Sequence, residues 1–198
     1  MTNYKIPYGK QEITEEDIQA VVATLKSDFI TQGPKVNEFE KKFAKYIGAN
    51  YAVAVANGTA ALHLSIMALG IKPGQKVISS PITFAATTNA VLYNQGEVDF
   101  CDIDPETILL NIDEVRKKLK RSKPGDYAGI IPVDFAGNPI KMDDFRSLAD
   151  EYGIWILEDA CHAPGGFYKD TNDKKQNCGN GVYAHSAIFS FHPVKHIA

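Results

Sequence analysis

Lys195 stands in the stretch FSFHPVKHIA (189–198), just past an apolar run, with Ser190, His192 and Pro193 nearby and no acid beside it. A lysine amine attacks carbonyl groups only when burial or neighbouring cations bring it below its ordinary pKa of about 10.4. By residue type alone, Lys195 is either a surface lysine or a nucleophile. Two other stretches offer groups that could serve it. Asn57-Gly58-Thr59-Ala60 has the small residues and backbone N–H groups that hold an anion at a helix N-terminus. Glu158-Asp159-Ala160-Cys161-His162 puts a carboxylate where it could cap a helix, ligate a metal or pair with a bound cation. Asp-x-x-His could open a metal site, with His185, His192 and His196 as further ligands. Pro193 interrupts the His192/His196 spacing and nothing resembles HExxH, so no metal is expected.

These groups must be positioned by the elements around them, and helical and strand patterns alternate along the chain. Thr14 followed by Asp17 predicts a capped helix start, with Ile18, Val21, Val22 and Leu25 on one face. A second amphipathic helix is predicted over 35–47, burying Val36, Phe39, Phe43, Ala44 and Ile47 and stopping at Gly48. YAVAVA (51–56), KVISS (76–80), VDFCD (98–102), AGIIPVD (128–134), IWILED (154–159) and AHSAIFSF (184–191) predict strands. Helices are predicted between them over 59–69, 83–93, 111–121 and 142–152. Continuous apolar strand patterns indicate strands covered on both faces. The expected fold is α/β, a mostly parallel sheet between helix layers. The polar, glycine-studded segment 166–181 interrupts the rhythm and predicts an exposed turn or hairpin.

In open sheets of this kind, ligands bind outside the carboxyl ends of the strands, where all three reactive stretches fall. Composition removes several other classes. The 198 residues are 44% hydrophobic and 23% charged with a formal net charge of −3, the profile of a soluble globular chain without a nucleic-acid surface. The basic run 116–121 alternates with apolar positions and reads as the wet face of a helix. No apolar run reaches the roughly 18 residues of a membrane span, and the first residues lack a signal-peptide layout. Cys101, Cys161 and Cys178 show no CxxC spacing, so neither a disulfide nor a zinc site is expected and a reducing cytoplasm is the expected location.

NGTAAL (57–62), PITFAAT (81–87), EDACHA (158–163) and SFHPVKHI (190–197), in that order, resemble the DegT-type sugar-nucleotide aminotransferases of the fold-type I pyridoxal-phosphate enzymes. TQGP (31–34) followed by Phe39-Glu40 also matches, so the resemblance spans essentially the whole chain. It implies the three-layer α/β/α large domain of the aspartate aminotransferase-like fold and a pyridoxal 5′-phosphate cofactor. By the same resemblance, Gly58, Thr59 and Ala60 would hold the cofactor phosphate with Ser190 as a second anchor. Phe84 would stack on the pyridine ring, Asp159 would pair with its protonated nitrogen, and His162 would sit near the ring hydroxyl or flank the ring. Lys195 would form the Schiff base and then move the proton.

CHAPGG (161–166) and FHPVKHIA (191–198) are most similar to members that aminate a 4-keto-6-deoxy UDP-sugar in pseudaminic acid synthesis, with glutamate the usual donor. There, Tyr8 and Asp28-Phe29-Ile30-Thr31 would touch the nucleotide-sugar. Relatives acting on 3-keto sugars or on other 4-keto sugars remain open, whereas the dehydrating branch, which replaces the lysine by histidine, does not fit Lys195. Family members continue well past this lysine, so residues 1–198 are expected to be the N-terminal part of the large domain, with the small C-terminal domain beyond them. A homodimer with shared active sites is also implied. The alternatives are a non-catalytic binding or regulatory protein on the same fold, an inactive fragment, and a metal hydrolase using Asp159 and the histidines.

Overall fold

A computed structural model describes residues 11–195. The helices are α1 (Glu15–Leu25), α2 (Pro34–Ile47), α3 (Gly58–Ala68), α4 (Ala85–Tyr93), α5 (Ile112–Leu119) and α6 (Met142–Tyr152). The strands are β1 (Lys76–Ser79), β2 (Glu97–Phe100), β3 (Tyr127–Ile131), β4 (Trp155–Asp159), β5 (Phe167–Lys169), β6 (Lys175–Asn177) and β7 (Ser186–Ile188). Five strands form one sheet in the order β2-β1-β3-β4-β7, and every pairing in it is parallel.

Successive strand residues point to opposite faces, and both faces are covered. Ile78, Ile130 and Ile156 pack with Val115, Leu119, Phe145 and Leu148 on the α5/α6 side. Val77, Ile131 and Leu157 pack with Leu62, Ile66, Ala90 and Val91 on the α3/α4 side. Two-sided burial is why these strands read as unbroken apolar runs.

Gly129 on β3 lies under the indole of Trp155, and a Cβ built there would fall 2.1 Å from the ring. Gly129→Ala is therefore expected to destabilise the sheet by about 1–3 kcal/mol through overpacking, read as a lower denaturant midpoint.

Several sequence expectations change in the folded chain. YAVAVA is not a strand: no strand of the described residues pairs with it, and Tyr51 is left 88% exposed. A strand exists only by its neighbour's hydrogen bonds, so an apolar pattern without an adjacent edge stays extended coil. The Thr14/Asp17 capping box forms, yet α1 buries no residue, and Ile18, Val21 and Leu25 are exposed. On α2, Ala44 and Ile47 are buried, while Val36 and Phe39 remain exposed. Segment 166–181 does form a hairpin, β5–β6, but not a wholly exposed one, since Asp170, Gln176 and Cys178 are buried.

Candidate functional site

The sheet changes direction between β1 and β3: from β1 the chain passes outward to β2, then returns to place β3 on the other side. Such a switch point opens a crevice at the carboxyl ends of the strands. The residues following β1, β3, β4 and β7 are therefore the ones brought to a common edge.

Asp159, the last residue of β4, is only 4% exposed. Its Oδ1 accepts from the Cys161 amide at 3.2 Å, a local turn that aspartate makes readily. Its Oδ2 accepts from the Thr87 hydroxyl at 2.8 Å. Thr87 is fully buried in the first turn of α4, and its Oγ1 also lies 2.9 Å from that of Thr83. Because Thr87 gives its proton to the carboxylate, Thr83 must donate to Thr87. The two threonines thus form a one-way relay that fixes the Asp159 rotamer. The sequence stretch PITFAAT contained both hydroxyls at i, i+4, which was the available signal for them.

His162 lies one turn beyond Asp159 and joins two segments. Its Nδ1 accepts from the Ala136 amide at 3.3 Å, and its Nε2 is 2.6 Å from Lys195 Nζ. Ala136 has φ 55°, a left-handed conformation costing an alanine roughly 1–2 kcal/mol, and it belongs to the short 3-10 turn after β3. The neighbouring Phe135 ring meets the imidazole edge-on, with centroids 5.9 Å apart. Lys195 is held by its own amide, which donates to the His192 carbonyl at 2.7 Å. Cys161 sits between the two charged groups. Burial and the Asp159 carboxylate push its thiol well above its ordinary value, opposed by the Lys195 charge.

The N-terminus of α3 closes another side. A Cβ on Gly58 would stand 3.6 Å from Ser190 Cβ and 3.8 Å from Cys161 Sγ, so this turn lies directly against the segment after β7. Asn57 caps the helix, and its Oδ1 accepts the Ala60 amide at 2.8 Å. Of the three amides predicted for an anion, Ala60 is therefore already engaged. The amides of Gly58 and Thr59 meet no acceptor among the described residues. Ser190 Oγ accepts only a long bond, 3.4 Å, from the His192 amide. Phe84, the residue before α4, is 69% exposed.

Not every expected residue joins this site. Asp28, Phe29, Ile30 and Thr31 form the turn between α1 and α2, with Phe29 and Ile30 exposed. Among the described residues no hydrogen bond or ring contact ties this turn to the site. Tyr8 and His196 lie outside the described residues. His185 and His192 act as acceptors for main chain: His185 Nδ1 takes the Ile156 amide at 3.0 Å and His192 Nδ1 the Val194 amide at 3.4 Å.

A family model described as the DegT/DnrJ/EryC1/StrS aminotransferase family matches residues 11–198. The chain belongs to this family. Among its relatives is the UDP-4-amino-4,6-dideoxy-N-acetyl-beta-L-altrosamine transaminase of Campylobacter jejuni, 42% identical over 97% of this chain and 48% of that protein. The spore coat polysaccharide biosynthesis protein SpsC of Bacillus subtilis is 40% identical over 99% of this chain and 48% of its own length. The chain thus spans about half the length of the curated relatives it matches. The PLP-form of Spr1654 from Streptococcus pneumoniae superposes with a TM-score of 0.84 at 30% identity, covering 98% of this chain and 51% of that one. The fold of this DegT-family chain is accordingly the pyridoxal-phosphate aminotransferase α/β fold, and pyridoxal phosphate is its cofactor.

Proposed function

We propose that this chain is the cofactor-binding part of an aminotransferase acting on a nucleotide-linked keto-sugar. The observation that carries the reading is the meeting of Asp159, His162 and Lys195 at one sheet edge, with Lys195 Nζ 2.6 Å from His162 Nε2. The residues present suit the cofactor. Gly58 and Thr59 offer two open amides at a helix N-terminus for its phosphate, with the Ser190 hydroxyl beside them and Ala60 contributing shape rather than a donor. Asp159 is a buried carboxylate for the ring nitrogen, and Phe84 an uncovered aromatic face for the ring.

Bound pyridoxal phosphate supplies the electron sink on which amino-group chemistry depends. The chain's own groups do the rest. Asp159, oriented by Thr83 and Thr87, holds positive charge on the ring nitrogen. Lys195 would hold the cofactor through its amine and would move the proton at the donor's α-carbon. His162 keeps the Lys195 amine at the site and flanks the ring.

The name of the C. jejuni relative supports a UDP-linked dideoxy amino-sugar on the reaction path; the acceptor proposed here is a 4-keto-6-deoxy UDP-sugar of pseudaminic acid synthesis, and the donor glutamate. Tyr8 and Asp28-Phe29-Ile30-Thr31 are proposed to reach the nucleotide-sugar in the assembled enzyme. We assign residues 1–198 to the N-terminal part of the large domain and the working form to a homodimer. Exposed apolar side chains at Ile82, Leu64 and Met67 suit such an interface. Three unpaired thiols fit a reducing cytoplasm.

Borohydride reduction of the pyridoxal-phosphate-loaded protein followed by peptide mapping tests the assignment. The pyridoxyl group is expected on Lys195. An adduct on any other lysine, or none, rejects it, and none would favour a non-catalytic protein on this fold.

A further inference from the structure

Asp134, Glu158 and Cys178 meet on the α5/α6 side of the sheet, away from Asp159. Neighbouring residues of β4 point to opposite faces, so Glu158 turns its back on the face where Asp159 meets Thr87. One ligand-type atom from each of the three lies within 4.8 Å of the others, and all three residues are buried. Two of the four carboxylate oxygens are accounted for: Asp134 Oδ1 accepts the Ile140 amide at 2.9 Å, and Glu158 Oε1 accepts the Gly179 amide at 2.8 Å. Asp134 Oδ2 is wholly buried with no hydrogen bond of ordinary geometry, and as long as Glu158 is ionised this carboxylate has only the weak Cys178 thiol to supplement the Ile140 amide among the described residues. A buried acceptor left this way is costly, and two buried carboxylates facing each other cost more.

We propose that Glu158 and Asp134 share one proton, carried by Glu158 and donated to Asp134 Oδ2, and that this pair is a positioning device for Asp159 and His162. Besides the Ile140 contact, Asp134 donates its amide to the Asp159 carbonyl at 3.1 Å. Two residues later, the same turn presents the Ala136 amide to His162. The shared proton therefore locks the turn after β3 onto β4 and, through it, the main chain of both site residues. A cation is the other filler of such a space, but it would need Cys178 as a thiolate, and burial beside two carboxylates pushes that thiol far up.

The groups facing Glu158 are acids: Asp134, Asp159 across the sheet, Cys178 after β6, and Tyr168 on β5. Burial first, and then the Asp134 charge, pushes Glu158 well above the usual carboxylate range, while burial pushes Asp134 up to about 6. A folded-state value raised above the unfolded one means the native chain binds the proton more tightly. The resulting stability is present at acidic pH and is lost as pH rises through the folded values.

Glu158→Gln is the decisive variant. Its amide oxygen still accepts from Gly179, and its N–H supplies Asp134 Oδ2 with a donor that does not titrate. The unfolding midpoint of the cofactor-free wild-type chain is expected to fall as pH is raised from the ordinary carboxylate range through the raised folded values of the pair, Glu158→Gln to stay flat, and Glu158→Ala to be low throughout. A carboxylic-acid C=O infrared band at neutral pH should be present in wild type and absent from Glu158→Gln. An equal loss in Glu158→Gln and Glu158→Ala, a missing acid band, or stoichiometric metal in the purified chain overturns the shared proton.

The positioning role rests on the proposed function and has its own readout. Affinity for pyridoxal phosphate should drop in Glu158→Ala and be restored in Glu158→Gln. Unchanged affinity in Glu158→Ala overturns that role. Should no form bind the cofactor, the functional reading fails, while the unfolding and infrared results still decide the proton.

Discussion

Lys195→Ala is expected to abolish amino transfer, by on the order of 10⁴-fold or more, while leaving the fold in place. On the proposed function two roles would be lost at once, the amine that anchors the cofactor and the base that moves the α-proton, and a covalent nucleophile has no substitute in a neighbouring side chain. Little stability should go with them. Lys195 lies beyond β7, outside the core clusters, and among the described residues its side chain makes one hydrogen bond, to His162. The measurement is the glutamate-driven change in the cofactor's absorbance, followed in the same preparation as the unfolding midpoint. A variant that still turns over at a comparable rate would place the reactive amine elsewhere. Partial rescue by a small alkylamine would tie the loss to the missing base rather than to a disturbed site.

Asp159→Ala should cost catalysis far more than folding. Two unit charges about 4 Å apart at an effective dielectric near 20 gain about 4 kcal/mol. In the proposed pairing of Asp159 with the ring nitrogen, that energy, divided by about 1.36 kcal/mol per pK unit, would favour the protonated ring by roughly three units, so a loss on the order of 10³-fold is expected. Stability should fall by a smaller amount, about 1–3 kcal/mol, because the Thr87 hydroxyl and the Cys161 amide lose their acceptor. A pH titration of the cofactor absorbance in the variant reports the ring nitrogen directly. Wholesale unfolding of the variant would instead make Asp159 a structural cap.

The two variants probe groups of different legibility. Glu158 and Asp159 stand side by side in the sequence as two acids at a strand end, and nothing local distinguishes them. The pleat separates them: Asp159 meets Thr87 on the α3/α4 side, Glu158 meets Asp134 and Gly179 on the other. Gly58, Thr59 and Ala60 looked equivalent as anion donors until the Asn57 cap took the Ala60 amide. His162 read in sequence as a possible ligand, and in the fold it bridges the strained turn at Ala136 to Lys195.

Element type was written locally. The capping box at Thr14, the glycine stop at Gly48 and the apolar runs of β1, β3 and β4 are each set by residues within a few positions of one another. The same locality explains the failure at 51–56, whose β pattern is sound but whose partner edge is absent from the described residues.

Sequence by itself determined the alternation of helices and strands, the two-sided burial of the sheet, and which side chains carry usable chemistry. Only the tertiary structure decided the strand order, and with it the meeting of Thr87 with Asp159 across 72 residues and of His162 with Lys195 across 33. Periodicity and caps are short-range signals, whereas a crevice between strands exists only once non-neighbouring segments have chosen their places in the sheet.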